Sequence, residues 1–234
     1  MRQALITGGA RGIGWGIASA MLEAGYAVTV TGLTPDEIKS VPAREHLSAV
    51  QLDVTSDAQV AALFARFDRL DVLVNCAGII MRGAEYEIET FKNVVDVNLT
   101  GTMRMCVAAQ PLLAKSTNAA IINTASMLSF FGAPLAPAYA ASKGGIAQLT
   151  KSLAIAWAAE GIRVNAIAPG WISTELTRGL TSDETRSVVI LARTPMKRWG
   201  EPADIGGSIV YLCSDAARFV TGIVLPIDGG YAAM

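Results

Sequence analysis

The pair of residues best suited to acid–base chemistry is Tyr139 and Lys143, in the run Tyr139-Ala140-Ala141-Ser142-Lys143. On a helix, residues at i and i+4 lie on one face. A phenol titrates near pKa ~10, too high for efficient proton transfer at neutral pH. An ammonium group beside it favours the phenolate and lowers that value. The plain alternative, an amphipathic helix with a packed tyrosine and a surface lysine, is the better reading of this pair taken alone. Ser126 precedes Tyr139 at the end of an apolar run, and its hydroxyl can donate to a carbonyl oxygen held beside the phenol. Ser129 competes for that role. Asn98 is polar in the middle of an apolar helical stretch, which is unfavourable unless its side chain makes a specific bond.

A second group of residues suits phosphate binding. Thr7-Gly8-Gly9-Ala10-Arg11-Gly12-Ile13-Gly14 directly follows an apolar run and opens a helical pattern. Glycines permit a tight turn and close approach of a pyrophosphate, and a helix N-terminus offers free N–H groups and partial positive charge. The spacing is Gly-x-x-x-Gly-x-Gly, which differs from the common Gly-x-Gly-x-x-Gly fingerprint. An ordinary glycine-rich turn is the alternative, and the strand–turn–helix setting favours a dinucleotide. Asn75-Cys76-Ala77-Gly78 puts small residues at another strand end, where a ligand can pass close to the backbone. By itself this is weak, since strand ends often carry Gly and Asn.

These residues need a scaffold, and the apolar pattern supplies one. Short apolar runs at Ala4–Ile6, Ala27–Val30, Ala49–Leu52, Val72–Val74, Ala120–Ile122, Arg163–Ile167 and Ile223–Leu225 read as strands. Helical patterns lie between them, at Ile13–Ala24, Val60–Phe67, Phe91–Leu113 and Tyr139–Ala159. Continuous apolar strands alternating with helices predict an α/β fold: one doubly wound, Rossmann-like parallel sheet of about seven strands with helices on both faces. Ligands of such sheets sit beyond the carboxyl ends of the strands, where the winding reverses. Residues 1–234 are expected to form one dinucleotide-binding catalytic domain.

Composition narrows the function. The chain has 234 residues, 19 Lys plus Arg and 20 Asp plus Glu, a formal net charge of −1. That balance lacks the basic excess of a nucleic-acid binder. A content of 52% hydrophobic and 17% charged residues excludes intrinsic disorder. The single histidine, His46, removes mechanisms that need two and disfavours a His-ligated zinc site, so no metal is expected. Cys76, Cys106 and Cys213 match no CxxC spacing and read as reduced thiols of a cytoplasmic protein. The first residues show no signal-peptide pattern. The uncharged run Ser116–Ser142 is broken by Asn118, Asn123, Gly132, Pro134 and Pro137, and reads as a strand plus loops, not a membrane span.

Together these motifs resemble the short-chain dehydrogenase/reductase family over essentially the whole chain. The matching pieces are Thr-Gly-x-x-x-Gly-x-Gly at 7–14, Asn-x-Ala-Gly at 75–78, Asn98, Ser126, Tyr139-x-x-x-Lys143, Pro169-Gly170 and Asp228-Gly229-Gly230. The joint match reverses the plain readings of Tyr139 and Ser126. The resemblance implies an NAD(P)-dependent oxidoreductase that interconverts a secondary alcohol and a ketone, with Asn98, Ser126, Tyr139 and Lys143 as catalytic tetrad. Tyr139 would be the acid or base, and Lys143 would lower its pKa and hold the nicotinamide ribose. Ser126 would polarise the carbonyl, and Asn98 would hold a relay water. Cofactor contacts implied are Gly8, Arg11, Gly12, Ile13, Gly14, Asp53, Val54, Asn75, Ala77, Gly78, Pro169, Gly170, Ile172 and Thr174, besides Tyr139 and Lys143. Two departures stand out: Cys76 replaces a usual asparagine, and the helix between Asp53 and Asp71 looks one turn short.

Within the family the chain is most similar to sugar-acid dehydrogenases, through Gly78-Ile79-Ile80-Met81-Arg82 and Ala125-Ser126-Met127-Leu128-Ser129-Phe130. A small sugar acid or polyol is therefore the expected substrate, with a 3-oxoacyl thioester reductase as the alternative enzyme. A cofactor-sensing protein without turnover is the alternative of another class, but such proteins usually lose the tyrosine or lysine. Arg82 is the candidate clamp for a carboxylate, with Arg178, Arg186 and Arg193 as rivals in a variable, substrate-covering segment at about 171–198. NADP(H) is favoured over NAD(H). The second strand ends at Gly32-Leu33 without an acid, and Arg11 is available to a 2′-phosphate. A homo-tetramer or dimer is implied by the resemblance.

Overall fold

The computed structural model describes all residues, 1–234. The seven strands are β1 (Gln3–Thr7), β2 (Ala27–Gly32), β3 (Leu47–Gln51), β4 (Val72–Asn75), β5 (Ala119–Thr124), β6 (Ile162–Pro169) and β7 (Val224–Ile227). They form one sheet in the order β3-β2-β1-β4-β5-β6-β7, every pair parallel. The crossovers carry α1 (Gly12–Glu23), α2 (Pro35–Lys39), α3 (Asp57–Phe64), α4 (Ile88–Val95), α5 (Gly101–Leu113), α6 (Pro137–Trp157), α7 (Arg178–Thr181), α8 (Glu184–Arg193) and α9 (Pro202–Cys213). All seven expected strands form, and their winding reverses between β1 and β4.

The apolar runs are continuous because both faces of the sheet are covered. Successive strand residues point to opposite faces. Ile6 and Val74 pack with Ile17 and Met21 of α1 and Ile205 and Ile209 of α9. Their neighbours Leu5 and Leu73 pack on the other side, with Leu63 of α3, Met105 and Leu113 of α5 and Leu153 of α6. Each such side chain, fully buried, stabilises the fold by ~1.5–3 kcal/mol.

The long helical pattern Phe91–Leu113 is interrupted. Between α4 and α5, residues Asp96–Thr100 form a π-helical turn, which widens the helix around Asn98. The uncharged run Ser116–Ser142 becomes β5, a 3-10 turn at Met127–Ser129 and the start of α6. No helix is long and apolar enough to cross a membrane.

Candidate active site

A cavity of about 620 Å³ opens where the winding reverses, bordered by the glycine loop after β1, the end of β2 and Cys76–Ile79 after β4. Glycine is required here for two reasons. Gly8 is left-handed, with φ +62°, and a Cβ on it would stand 2.9 Å from Ala77 Cα. A Cβ on Gly14 would fall 2.2 Å from the Gly8 carbonyl oxygen. The Thr7 hydroxyl accepts from the N–H groups of Cys76 and Ala77, both at 3.1 Å, and so draws the β4 loop against the glycine loop. Arg11, at the N-cap of α1, gives that helix no side-chain cap, so its first N–H groups are left for another acceptor. A bare cradle facing an uncapped helix N-terminus fits the pyrophosphate of a dinucleotide.

Gly8, Arg11, Gly12, Ile13, Gly14, Asp53, Val54, Ala77, Gly78, Thr174, Tyr139 and Lys143 all line the cavity. Asn75, Pro169, Gly170 and Ile172 do not. Asn75 is buried, and its amide donates to Asn123 Oδ1 at 3.0 Å. A Cβ on Gly170 would meet Asp228 at 2.6 Å, and Ile172 packs into the core beneath α9. These residues shape the wall from behind.

The end of β2 differs from the expectation. An acid is present there after all, and it comes from α2. Glu37 lines the cavity, accepts from the Leu33 N–H at 2.6 Å, and lies 2.9 Å from Arg11. The cause is local: Thr34, Pro35 and Glu37 form a capping box that turns the glutamate back onto the strand end. Arg11 also pairs with Glu175 at 3.1 Å, so its guanidinium bridges two carboxylates.

At the other end of the cavity, Tyr139 and Lys143 lie one turn apart on α6. Lys143 is buried and donates to the Thr124 carbonyl at 2.6 Å, with its ammonium 5.5 Å from the centre of the Tyr139 ring. Burial lowers the lysine to about 8. The phenol moves the other way from the expectation. Burial pushes Tyr139 above its ordinary value, outweighing the Ser126 hydroxyl and the Arg82 guanidinium, which pull it down; Cys76 and Glu85 add to the rise. Desolvation disfavours the phenolate more strongly than these neighbours favour it. Ser126 is thus the serine at the phenol, and it also accepts from the Leu128 N–H at 3.2 Å. Ser129 is committed elsewhere, donating to the Lys143 carbonyl at 2.7 Å.

Asn98 is fully buried in the π-helical turn. Its Oδ1 accepts from the Ile79 N–H at 2.8 Å, and its Nδ2 donates to the Ile79 carbonyl at 2.9 Å and to Ser142 Oγ at 3.1 Å. The side chain braces the loop after β4 against α6. Of the four candidate arginines, three are engaged. Arg178 pairs with Glu175 and Arg186 with Asp183. Arg193 stacks on Tyr231 at 4.3 Å and Phe131 at 5.2 Å, pinning α8 to the C-terminal turn. Arg82 makes no ion pair or side-chain hydrogen bond, and its charge acts on the Tyr139 phenol. Cys76, the departure from the family pattern, lines the cavity and packs against the core.

The family model described as Enoyl-(Acyl carrier protein) reductase matches residues 8–232. A 2-dehydro-3-deoxy-D-gluconate 5-dehydrogenase from Bacillus subtilis (strain 168) is 41% identical over 239 residues, 98% of this chain and 94% of its own. The solved short-chain type dehydrogenase/reductase from Mycobacterium ulcerans superimposes with a TM-score of 0.93 at 29% identity, over 99% of this chain and 90% of its own. The chain belongs to the short-chain dehydrogenase/reductase family. It is an NAD(P)-dependent oxidoreductase that acts on CH–OH groups. A gluconate 5-dehydrogenase from Burkholderia cenocepacia J2315, solved with NADP and tartrate, superimposes with a TM-score of 0.91 at 33% identity, over 100% of this chain and 96% of its own.

Proposed function

We propose that the enzyme oxidises a secondary hydroxyl of a small sugar acid or polyol, or reduces the matching ketone, with Ser126, Tyr139 and Lys143 as its catalytic residues. The observation that carries this reading is Tyr139 and Lys143 together on the cavity wall, with the Ser126 hydroxyl bonded to the phenol and the charge of Arg82, which has no ion pair, acting on it. A bound nicotinamide supplies or takes up the hydride. The chain's own residues handle the proton and the charge. Ser126 holds the substrate oxygen. Tyr139 Oη gives that oxygen a proton in reduction and takes it in oxidation. Lys143, held by the Thr124 carbonyl, keeps a positive charge beside the cofactor ribose and the phenol. Asn98, the fourth member of the expected tetrad, positions the Ile79 backbone along the cavity. Arg82 takes the substrate carboxylate with two parallel hydrogen bonds, which selects one carbon for reaction.

NADP(H) is the favoured cofactor and NAD(H) is accepted. Arg11 supports the first, with the bound NADP of the Burkholderia gluconate 5-dehydrogenase; Glu37 supports the second. Segment 171–198 covers the substrate, the single catalytic domain spans 1–234, and the enzyme works in the cytoplasm. It is a homo-dimer or tetramer, a reading supported by the exposed apolar residues Met103 and Val107 on α5 and Ile155 on α6. A screen of sugar acids, polyols and a 3-oxoacyl thioester with both cofactors tests the activity. Turnover of sugar acids or polyols supports it. Turnover of the thioester alone, or of nothing, rejects it.

A further inference from the structure

Glu85, in the loop between β4 and α4, is a carboxylate that none of the roles above uses. It is only 1% exposed and forms no ion pair. A lone buried charge is costly unless hydrogen bonds replace its water. Both oxygens are occupied: Oε1 accepts from the Met81 N–H and Oε2 from the Tyr139 N–H, each at 2.9 Å. The second bond has a clear cause. Helix α6 begins with Ala136 at its N-cap and Pro137 next, so it has no side-chain cap of its own and no acidic residue in its first turn. The free N–H of Tyr139 and the helix dipole both call for an anion, and Glu85 supplies it from the β4–α4 loop. Two further bonds tie the same loop to the chain entering α6. Gly83 N–H donates to the Leu135 carbonyl and Tyr86 Oη to the Pro134 carbonyl, both at 2.8 Å.

We propose that Glu85 is a positioning residue: its buried carboxylate holds the backbone of Tyr139 and the loop bearing Arg82 in one frame, so that phenol and guanidinium keep a fixed separation. A simple helix cap needs one oxygen. The second oxygen, on Met81, anchors the residue next to Arg82. This rests on the reading of Tyr139 as the acid–base group and Arg82 as the clamp. The groups that face the phenol are Ser126 after β5, Cys76 after β4, Arg82 and Glu85 on the β4–α4 loop, and Lys143 on α6. Burial is the main reason the phenol stays protonated, and the Glu85 charge adds to it.

The test uses Glu85→Gln and Glu85→Asp in the full chain. Ultraviolet difference titration against the same proteins carrying Tyr139→Phe reads the phenol without substrate. Steady-state oxidation of gluconate reads kcat and KM, and fluorescence titration reads NADP binding. Gln removes the charge and leaves one N–H facing an amide NH2. The phenol is expected to titrate at lower pH, kcat to fall ~10-fold to 10²-fold, as for a misplacement of about 1 Å, and NADP affinity to stay within about twofold. Asp keeps the charge but cannot span both N–H groups, so the phenol stays near wild type while kcat falls. An unchanged titration with wild-type kcat in folded Glu85→Gln overturns the proposal. If that variant does not fold, wild-type kcat in Glu85→Asp overturns it. If wild type turns over no sugar acid, the functional reading fails, and the titration still decides the role of Glu85.

Discussion

Replacing Glu37 by Gln is expected to shift cofactor choice towards NADP. The Glu37 carboxylate lies 2.9 Å from Arg11, with side chains 19% and 61% exposed. An ion pair this open contributes only ~0–1 kcal/mol to stability, so the variant folds. Its effect on a bound phosphate is larger. A unit negative charge at about 6 Å from another repels it by about 0.7 kcal/mol in water and about 2.8 kcal/mol at an effective dielectric of 20. Removing Glu37 therefore tightens NADP by roughly 3-fold to 100-fold. Arg11 is also released from one of its two carboxylates. NAD weakens several-fold, because a charged acceptor near the ribose hydroxyls becomes neutral. Isothermal titration with each cofactor at low salt reads both changes, and raising the salt should shrink the NADP gain. Equal shifts for both cofactors, or no shift for either, would refute a role for Glu37 in reading the 2′ position.

Arg82→Ala should lower kcat/KM for a sugar acid by ~10-fold to 100-fold, the ~1.5–3 kcal/mol of a charged hydrogen bond, and that for a neutral polyol far less; equal losses remove Arg82 from the site. Lys143 gives a stability test with a defined sign. Its pKa falls from 10.5 unfolded to about 8 folded, so between these values the unfolded chain binds more protons and stability rises with pH. Urea unfolding at several pH values across that window should show this rise in wild type and lose it in Lys143→Met; equal pH dependence in both proteins contradicts the lowered value. Light scattering should give a dimer or tetramer mass, and Ile155→Lys, at a position 81% exposed, should reduce it if α6 lies in the interface; a wild-type monomer at micromolar concentration rejects the assembly.

The fold was legible because the strands are short apolar runs, several of them closed by glycine, proline or asparagine, and because both sheet faces are buried. Asn98 was legible as an anomaly, a mid-helix asparagine that must bond to something, but the π-helical turn and its partner Ile79 were not. Glu37 was missed although a signal was present: Thr34-Pro35-Asp36-Glu37 is a helix-start pattern that folds a glutamate back onto the strand end. Glu85 carried no such signal, since its partner Tyr139 is 54 residues away and the contact exists only once the sheet is wound. The stacking of Arg193 on Phe131 and Tyr231 likewise joins three distant segments. The direction of the Tyr139 shift was misjudged because spacing reveals a neighbouring lysine and says nothing of burial.

In the proposed reaction Tyr139 Oη moves the proton. The most direct measurement is kcat of Tyr139→Phe with a substrate from the sugar-acid screen, alongside its cofactor dissociation constant. Phenylalanine keeps the ring in its place and removes only the hydroxyl. A loss of at least ~10²–10⁴-fold in kcat is expected, the usual worth of general acid–base catalysis, with cofactor binding nearly unchanged. Near-normal kcat in this variant would contradict it.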